Sequence, residues 1–166
     1  LQLAFTTSVD TEFDPVIEKA GISVSVYSDG RLWQYAKGVA RSSVAMTVST
    51  PIQIKSTSKT FMSALILDQV ENGMYSLSDT VSSTLADHPG YALVDGDRIN
   101  PEVTIEELLT MKSGLNTYHM VGENFVAIEN NPGWKPIEHL NMTPLGYSDP
   151  GIYEYNDTNT IILAII

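Results

Sequence analysis

Apolar and polar residues follow two different periods in the first fifty positions of the chain. Residues 10–20, with Phe13, Val16 and Ile17 on one face, predict a short helix that ends at Gly21. Residues 21–27 then alternate apolar and small polar side chains, and residues 31–40 form a second such run. The Asp-Gly pair between the runs is typical of a tight turn, so the pattern predicts a β-hairpin.

The remaining apolar clusters have the spacing of helices. From Thr57 to Asn72 the apolar residues surround most of the circumference, which predicts a helix buried in a core. Thr104 and Glu107 have the spacing of a capping box and open a short helix, and residues 158–166 predict an apolar helix. Residues 41–50 and 116–152 are expected to be mainly loop, the second with room for one helical turn.

The arrangement of these elements predicts an incomplete domain. Two strands alone do not form a stable sheet, and the last helix reaches Ile166 without a capping residue. We therefore expect residues 1–50 to supply a helix and two strands of an α/β sheet domain. We expect residues 51–166 to be a helical region that is cut within a helix. A second chain or a missing C-terminal portion would complete the sheet.

Composition and charge narrow the classes of function. The 166 residues are 43% hydrophobic and 17% charged, enough apolar material for a packed core. A net charge of -11 argues against nucleic acids and anionic membranes as partners, and no apolar stretch is long enough to span a bilayer. The absence of cysteine excludes disulfides and thiolate metal sites. A chain without cysteine is compatible with a bacterial envelope or secreted protein and equally with a cytosolic one. Our expectation is an extracytoplasmic protein, periplasmic or secreted.

A Ser-x-x-Lys sequence lies where the buried helix begins. The spacing brings the hydroxyl of Ser56 and the amine of Lys59 to the same side of the first turn. A partly desolvated lysine beside a helix N-terminus can lose its proton near neutral pH and then take the proton of a serine hydroxyl. The alternative interpretation is an N-cap serine followed by a solvated lysine.

Five segments in order resemble one protein superfamily. The sequence is similar to the serine β-lactamases and penicillin-binding proteins, and within them to the branch of class C β-lactamases, D-alanyl-D-alanine carboxypeptidases and family VIII esterases. The segments that carry the resemblance are the Gly-Ile-Ser-Val-Ser-Val-Tyr-Ser-Asp-Gly hairpin at 21–30, Pro-Ile-Gln-Ile-Lys-Ser-Thr-Ser-Lys-Thr-Phe at 51–61, Glu-Asn-Gly-Met-Tyr-Ser-Leu-Ser-Asp-Thr-Val at 71–81, Val-Thr-Ile-Glu-Glu-Leu-Leu-Thr-Met-Lys-Ser-Gly-Leu at 103–115 and Pro-Gly-Ile-Tyr-Glu-Tyr-Asn-Asp-Thr-Asn at 150–159.

The resemblance implies a β-lactamase/transpeptidase-like fold, α/β plus all-α, of which this chain would hold the first hairpin and most of the helical region. It implies that Ser56 is the acylated nucleophile, that Lys59 is its proton-handling partner, and that Tyr155 passes a proton to the leaving group. The reaction would be acyl transfer from a small-molecule or peptide substrate followed by hydrolysis, with no metal or cofactor. Carboxylesterases share this fold, and a non-catalytic relative in which Ser56 and Lys59 are structural is the alternative from another class.

One position departs from the pattern of the family. The expected Tyr-x-Asn is Tyr155-Asn156-Asp157, and an ionised Asp accepts hydrogen bonds but cannot donate one to a substrate carbonyl. Asp157 is thus a substrate-binding candidate that disfavours amides and favours esters. An equally weighted alternative is that Asp157 is the N-cap of the last helix.

Other candidate residues fit the chemistry less well. The family's third motif, Lys-Thr-Gly or His-x-Gly on a strand, is matched by letter at residues 112–114 and 88–90, but neither match has a strand-like run around it. We therefore expect the true motif outside these 166 residues. The histidines His88, His119 and His139 lack metal-ligand spacing and are expected to be solvent-exposed or structural.

Overall fold

The computed structural model describes residues 2–18, 20–118 and 130–166. The chain divides into two compact units, Leu1–Ile54 and Lys55–Ile166. The sequence predicts this division after residue 50. His119 lies outside the described residues.

The N-terminal segment of the first unit forms two helices where the sequence predicted one. Helix α1 is Gln2–Glu12 and helix α2 is Pro15–Glu18, so the prediction of a single helix over residues 10–20 is wrong. The break lies before Pro15, because the residue before a proline is disfavoured in the helical conformation. The side chain of Asp14 accepts a hydrogen bond from the Val16 backbone N–H at 2.8 Å and so begins the second helix.

The first unit also contains a small antiparallel sheet. Strand β1 is Gly21–Ser28 and strand β2 is Arg31–Arg41, joined by Asp29 and Gly30, whose φ angles are 51° and 74°. Two positive φ angles are those of a type I′ turn, which confirms the predicted hairpin. A third strand, β3 at Val44–Ala45, pairs with the other edge of β2 in a segment that we expected to be loop. Ser43, with φ 61°, reverses the chain tightly enough for this pairing.

Contacts between α1 and β2 hold the first unit together. The rings of Phe5 and Trp33 lie 5.2 Å apart. Tyr35 donates a hydrogen bond of 2.9 Å to Asp10, and Lys37 forms an ion pair with the same carboxylate at 3.1 Å. No described side chain of this unit is fully buried. Its stability therefore rests on partly covered apolar surface and on exposed polar contacts.

The second unit is helical and contains the core. A 3₁₀ turn, Lys55–Thr57, leads into α3 at Ser58–Glu71, and α4 is Val81–Thr84. After a second 3₁₀ turn at Tyr91–Leu93, the helices α5, α6 and α7 are Ile105–Leu109, Pro136–Leu140 and Asp157–Ile165. The buried apolar side chains described in this unit form one cluster: Ile66, Val81, Leu85, Ile99, Val103, Ile105, Leu108, Leu115, Leu140, Ile162 and Leu163.

Local signals in this unit act as the sequence predicted. Thr104 accepts a hydrogen bond from the Glu107 backbone and Glu107 accepts one in return, which confirms the capping box of α5. The described part of the predicted 116–152 loop contains one short helix, α6. No helix among the described residues has the length and apolarity needed to cross a membrane.

Helix α3 is the main departure from the predicted packing. Ile66 is its one fully buried residue, and Phe61, Leu65 and Leu67 are 67%, 52% and 50% exposed. Within its own unit, α3 is therefore not enclosed in the middle of a core, although the sequence predicted that it would be. One face of α3 packs on the core of its unit.

Candidate active site

Ser56 lies in the 3₁₀ turn that leads into α3, and Lys59 lies in the first turn of that helix. The Lys59 Nζ donates a hydrogen bond of 3.3 Å to the Ser56 Oγ. Lys55, immediately before the serine, has a φ of 45°, a left-handed conformation that is uncommon for a residue with a side chain. Ser58 secures this turn by donating a 2.6 Å hydrogen bond to the Lys55 carbonyl. The turn presents an exposed serine hydroxyl beside the amine.

Tyr155 reaches the same hydroxyl from a distant part of the sequence. Its phenolic OH donates a hydrogen bond of 2.9 Å to the Ser56 Oγ. The Lys59 Nζ lies 5.0 Å from the centre of the Tyr155 ring. The structure thus brings together Ser56, Lys59 and Tyr155, three of the residues that the sequence singled out. Their chemical roles stay predictions.

Asp157 completes the cluster by pairing with the lysine. Its Oδ1 lies 2.5 Å from the Lys59 Nζ, with both side chains partly shielded from solvent. Burial by itself would lower the pKa of Lys59, but the contacts with Asp157 and then Tyr155 outweigh it and raise that pKa above the usual value of lysine. This corrects our expectation of a lysine that loses its proton near neutral pH.

The pKa of Tyr155 is shifted in the opposite direction from that of Lys59. The nearby Lys59 ammonium, followed by the hydrogen bond with Ser56, lowers the pKa of the Tyr155 phenol below its usual value. Desolvation and the negative charge of Asp157 oppose this shift without cancelling it. The positive charge of Lys59 therefore favours the phenolate form of Tyr155.

Tyr155 is positioned by a backbone-to-backbone junction. The segment before it runs beside the turn that follows α5, and Gly114 in that turn has a φ of 70°. A Cβ on Gly114 would lie 2.2 Å from the Ser148 carbonyl oxygen, so glycine is needed here for close approach as well as for conformation. The backbone hydrogen bonds across this junction are Ser148 N–H to Gly114 O at 2.9 Å, Gly151 N–H to Lys112 O at 2.8 Å and Glu154 N–H to Met111 O at 2.8 Å.

Asn156, for which the sequence indicates no function, anchors the other side of Tyr155. Its side chain accepts a hydrogen bond of 2.8 Å from the Thr158 backbone N–H, so Asn156 is the N-cap of α7 and Asp157 is the first helical residue. The alternative that Asp157 is the cap is thus wrong. The amide of Asn156 also donates to the Leu115 carbonyl. A signal was available in the sequence, since Asn is as strong an N-cap residue as Asp.

Both segments that matched the third motif by letter lie outside strands. Residues 112–114 follow α5, where the buried Ser113 donates a 2.5 Å hydrogen bond to Asn159. Residues 88–90 form a turn in which the Gly90 N–H donates to the Nδ1 of His88 at 3.1 Å. Neither segment lies in a strand, as the sequence predicted. The motif itself stays a prediction.

His139 has the structural environment that we expected of the histidines. Its ring is buried, 4.5 Å from the ring of Tyr118 and 4.4 Å from that of Trp134. This burial lowers the pKa of His139, against a smaller opposing effect of the Pro136 carbonyl. A neutral imidazole therefore packs here among aromatic rings.

The fold and this constellation define the class of proteins built like the serine β-lactamases and penicillin-binding proteins. The chain belongs to the Beta-lactamase family, whose model matches residues 9–166. Penicillin-binding protein 4 of Amycolatopsis lactamdurans is 32% identical over 97 residues, which are 57% of this chain and 24% of that protein.

Solved structures share the fold. D-amino acid amidase from Ochrobactrum anthropi SV3 aligns with a TM-score of 0.73 and 18% identity over 96% of this chain and 45% of that one. D-stereospecific amidohydrolase from a Streptomyces species aligns with a TM-score of 0.68 and 22% identity over 86% of this chain and 42% of that one. The chain therefore spans less than half the length of these proteins.

Proposed function

We propose that the polypeptide containing this chain is a serine hydrolase that forms an acyl-enzyme on Ser56. The observation that carries this proposal is the convergence on the Ser56 Oγ, which lies 3.3 Å from the Lys59 Nζ and 2.9 Å from the Tyr155 hydroxyl. A serine needs a proton acceptor and a nearby positive charge to act as a nucleophile, and these two side chains supply both. Membership of the Beta-lactamase family supports the same chemistry.

The proposed reaction proceeds in two halves on the same serine. In the first, the Ser56 hydroxyl loses its proton to a neighbouring basic group and its Oγ bonds to a carbonyl carbon. The bond to the leaving group then breaks as that group takes a proton from Tyr155. In the second, water bonds to the acyl carbon, the bond to the Ser56 Oγ breaks as that oxygen regains a proton, and the acid product leaves. The exposed N-terminal turn of α3 favours negative charge that develops on the carbonyl oxygen, because its first N–H groups lack helical partners.

The substrate class is an acyl donor, for which the observations favour two candidates. The amidase and amidohydrolase that share the fold act on amides, as their names state, and favour an amide substrate for this chain as well. Asp157 favours the second candidate, a carboxylic ester. A carboxylate paired with Lys59 cannot donate the hydrogen bond that an Asn would offer to an amide carbonyl.

The test is covalent labelling of the complete natural polypeptide, read by intact mass and peptide mapping. We expect a fluorophosphonate or a fluorescent penicillin to add to Ser56, and Ser56→Ala to abolish the added mass. Ser63→Ala, the same substitution within α3, is the matched control and should label like the wild type. Labelling of Ser56→Ala at the wild-type rate would show that the nucleophile lies elsewhere.

Turnover measurements then separate the alternatives. Hydrolysis of p-nitrophenyl esters without hydrolysis of D-amino acid amides or a chromogenic β-lactam would support the esterase, and the reverse pattern would support the amidase or β-lactamase. A folded wild-type protein that neither labels at Ser56 nor turns over any of these compounds would support the non-catalytic relative.

A further inference from the structure

Asp157 departs from the family's motif and forms an ion pair with Lys59. Resting on the function proposed above, we propose that Asp157 is a positioning residue whose carboxylate holds Lys59 as a fixed ammonium beside Ser56 and Tyr155. The proposal rests first on geometry. At 2.5 Å, the Nζ–Oδ1 distance is shorter than the 3.3 Å from the same Nζ to the Ser56 Oγ.

The local structure fixes Asp157 in this position. Asn156 caps α7 through the 2.8 Å hydrogen bond with Thr158, which makes Asp157 the first residue of that helix. A carboxylate in the first turn is also favoured by the partial positive charge of the helix N-terminus. The start of α7 therefore holds the backbone of Asp157 beside Lys59.

The charges that face Lys59 agree with this assignment. Asp157 and Tyr155 approach its amine, and Tyr118 is close enough for Lys59 and Asp157 to act on its phenol in opposite directions. Of these groups, Asp157 and Tyr155 raise the pKa of Lys59, whereas the ammonium lowers the pKa of Tyr155. An amine that keeps its proton cannot serve as the base.

The proton transfer balances without any further reactant. The Ser56 hydroxyl gives its proton to the phenolate oxygen of Tyr155 while its Oγ forms a bond to the acyl carbon and the carbonyl electron pair moves to oxygen. When the carbonyl re-forms, the bond to the leaving group breaks and that group takes the proton from Tyr155. Lys59 stays an ammonium throughout, donating a hydrogen bond to Ser56 and stabilising the phenolate.

The first test measures the protonation of Lys59 without relying on activity. Trace acetylation of the complete polypeptide across a pH series, read by peptide mass spectrometry, gives the titration midpoint of each lysine, with the unfolded protein as reference. We expect the midpoint of Lys59 to lie above that reference. Asp157→Asn should make Lys59 react on the order of tenfold faster at about pH 8, because the substitution removes the negative charge that holds the proton on Lys59.

Two variants control this measurement. Asp149→Asn makes the same change in net charge at an exposed residue and should leave the reactivity of Lys59 at the wild-type level. Asp157→Glu keeps a carboxylate and should keep the midpoint of Lys59 above that of Asp157→Asn. A wild-type midpoint at or below the unfolded reference, or one that Asp157→Asn leaves unchanged, would overturn the proposal.

The second test is the pH dependence of fluorophosphonate labelling at Ser56. We expect the labelling rate to rise as Tyr155 loses its proton and to fall at higher pH as Lys59 loses its charge. Asp157 opposes the loss of a proton at both groups, so Asp157→Asn should move both limbs to lower pH. A purely structural effect of the substitution would lower the rate without moving the limbs, and that result would contradict the proposal.

The two tests also separate this inference from the function on which it rests. If Ser56 in the folded wild type does not label at any pH, the proposed hydrolase is wrong, whereas the acetylation midpoint still decides whether Asp157 holds Lys59 charged.

Discussion

At the scale of single residues, Tyr155 offers the sharpest prediction. Removing its hydroxyl removes the 2.9 Å hydrogen bond to Ser56 and the proposed acid/base group, while the ring that lies near Lys59 is kept. We expect Tyr155→Phe to lower acylation of Ser56 by about 10²- to 10⁴-fold, the usual contribution of a positioned proton-transfer group. The measurement is the rate of fluorophosphonate labelling of the complete polypeptide.

Tyr153→Phe is the matched control, because Tyr153 is 64% exposed and lies on the same segment. It should label at the wild-type rate. Equal labelling of Tyr155→Phe and the wild type would remove Tyr155 from the reaction and leave its hydroxyl a structural contact.

The sequence was sufficient to predict that Ser56, Lys59 and Tyr155 lie together, because each belongs to a short motif of the family. It was not sufficient to find how they act on one another. The protonation of Lys59 depends on the carboxylate of Asp157, which folding of the chain brings to 2.5 Å. Neither motif predicts this distance, because the two side chains are far apart in sequence. Desolvation alone predicted a neutral amine, whereas the ion pair reverses that direction.

At the scale of elements, the predictions succeeded where a local signal fixes the backbone. The Asp-Gly turn of the hairpin and the capping box of α5 are set by residues a few positions apart, and both are observed. The errors arose where distant contacts decide. Helix α1 begins well before Asp10, because Phe5 packs on Trp33, and β3 forms because β2 offers it an edge.

The junction at Gly114 gives a prediction at this scale. Gly114→Ala forces a Cβ to within 2.2 Å of the Ser148 carbonyl in addition to the strain of a positive φ. Gly73→Ala is the matched control, since Gly73 has a φ of 72° but nothing within 4 Å of the added atom. We expect about 1–2 kcal/mol of lost stability at Gly73 from strain alone, and about 3 kcal/mol or more at Gly114.

Urea unfolding of the two variants of the complete polypeptide measures the difference in their stability. Labelling of Ser56 below the melting temperature measures the effect of each substitution on the site. Gly114→Ala should also label more slowly, because the displaced backbone carries Tyr155, whereas Gly73→Ala should label like the wild type. Equal losses of stability in the two variants would show that the backbone at the junction accommodates the added Cβ without further cost, which would contradict this prediction.

At the scale of the whole molecule, the fold class was predictable because five ordered segments are far more specific than any one of them, and the family match confirms it. The extent of burial was not predictable. The sequence of an apolar helix predicts that the helix is buried but does not identify the residues that bury it. Among the described residues, Phe61, Leu65 and Leu67 on α3 are at least half exposed.

That surface leads to the final prediction, on the stability of the 166-residue chain by itself. Its first unit has no fully buried described side chain, its sheet has three strands, and α3 exposes large apolar groups. Small sheets and exposed apolar patches of this kind favour loose packing and association. We expect the isolated chain to melt with poor cooperativity, to bind the dye ANS, and to show no measurable ester, amide or β-lactam turnover. Leu65→Gln with Leu67→Gln should lower the dye binding of the isolated chain. A sharp two-state transition by calorimetry, together with turnover comparable to that of the complete polypeptide, would show that these residues form a self-sufficient enzyme.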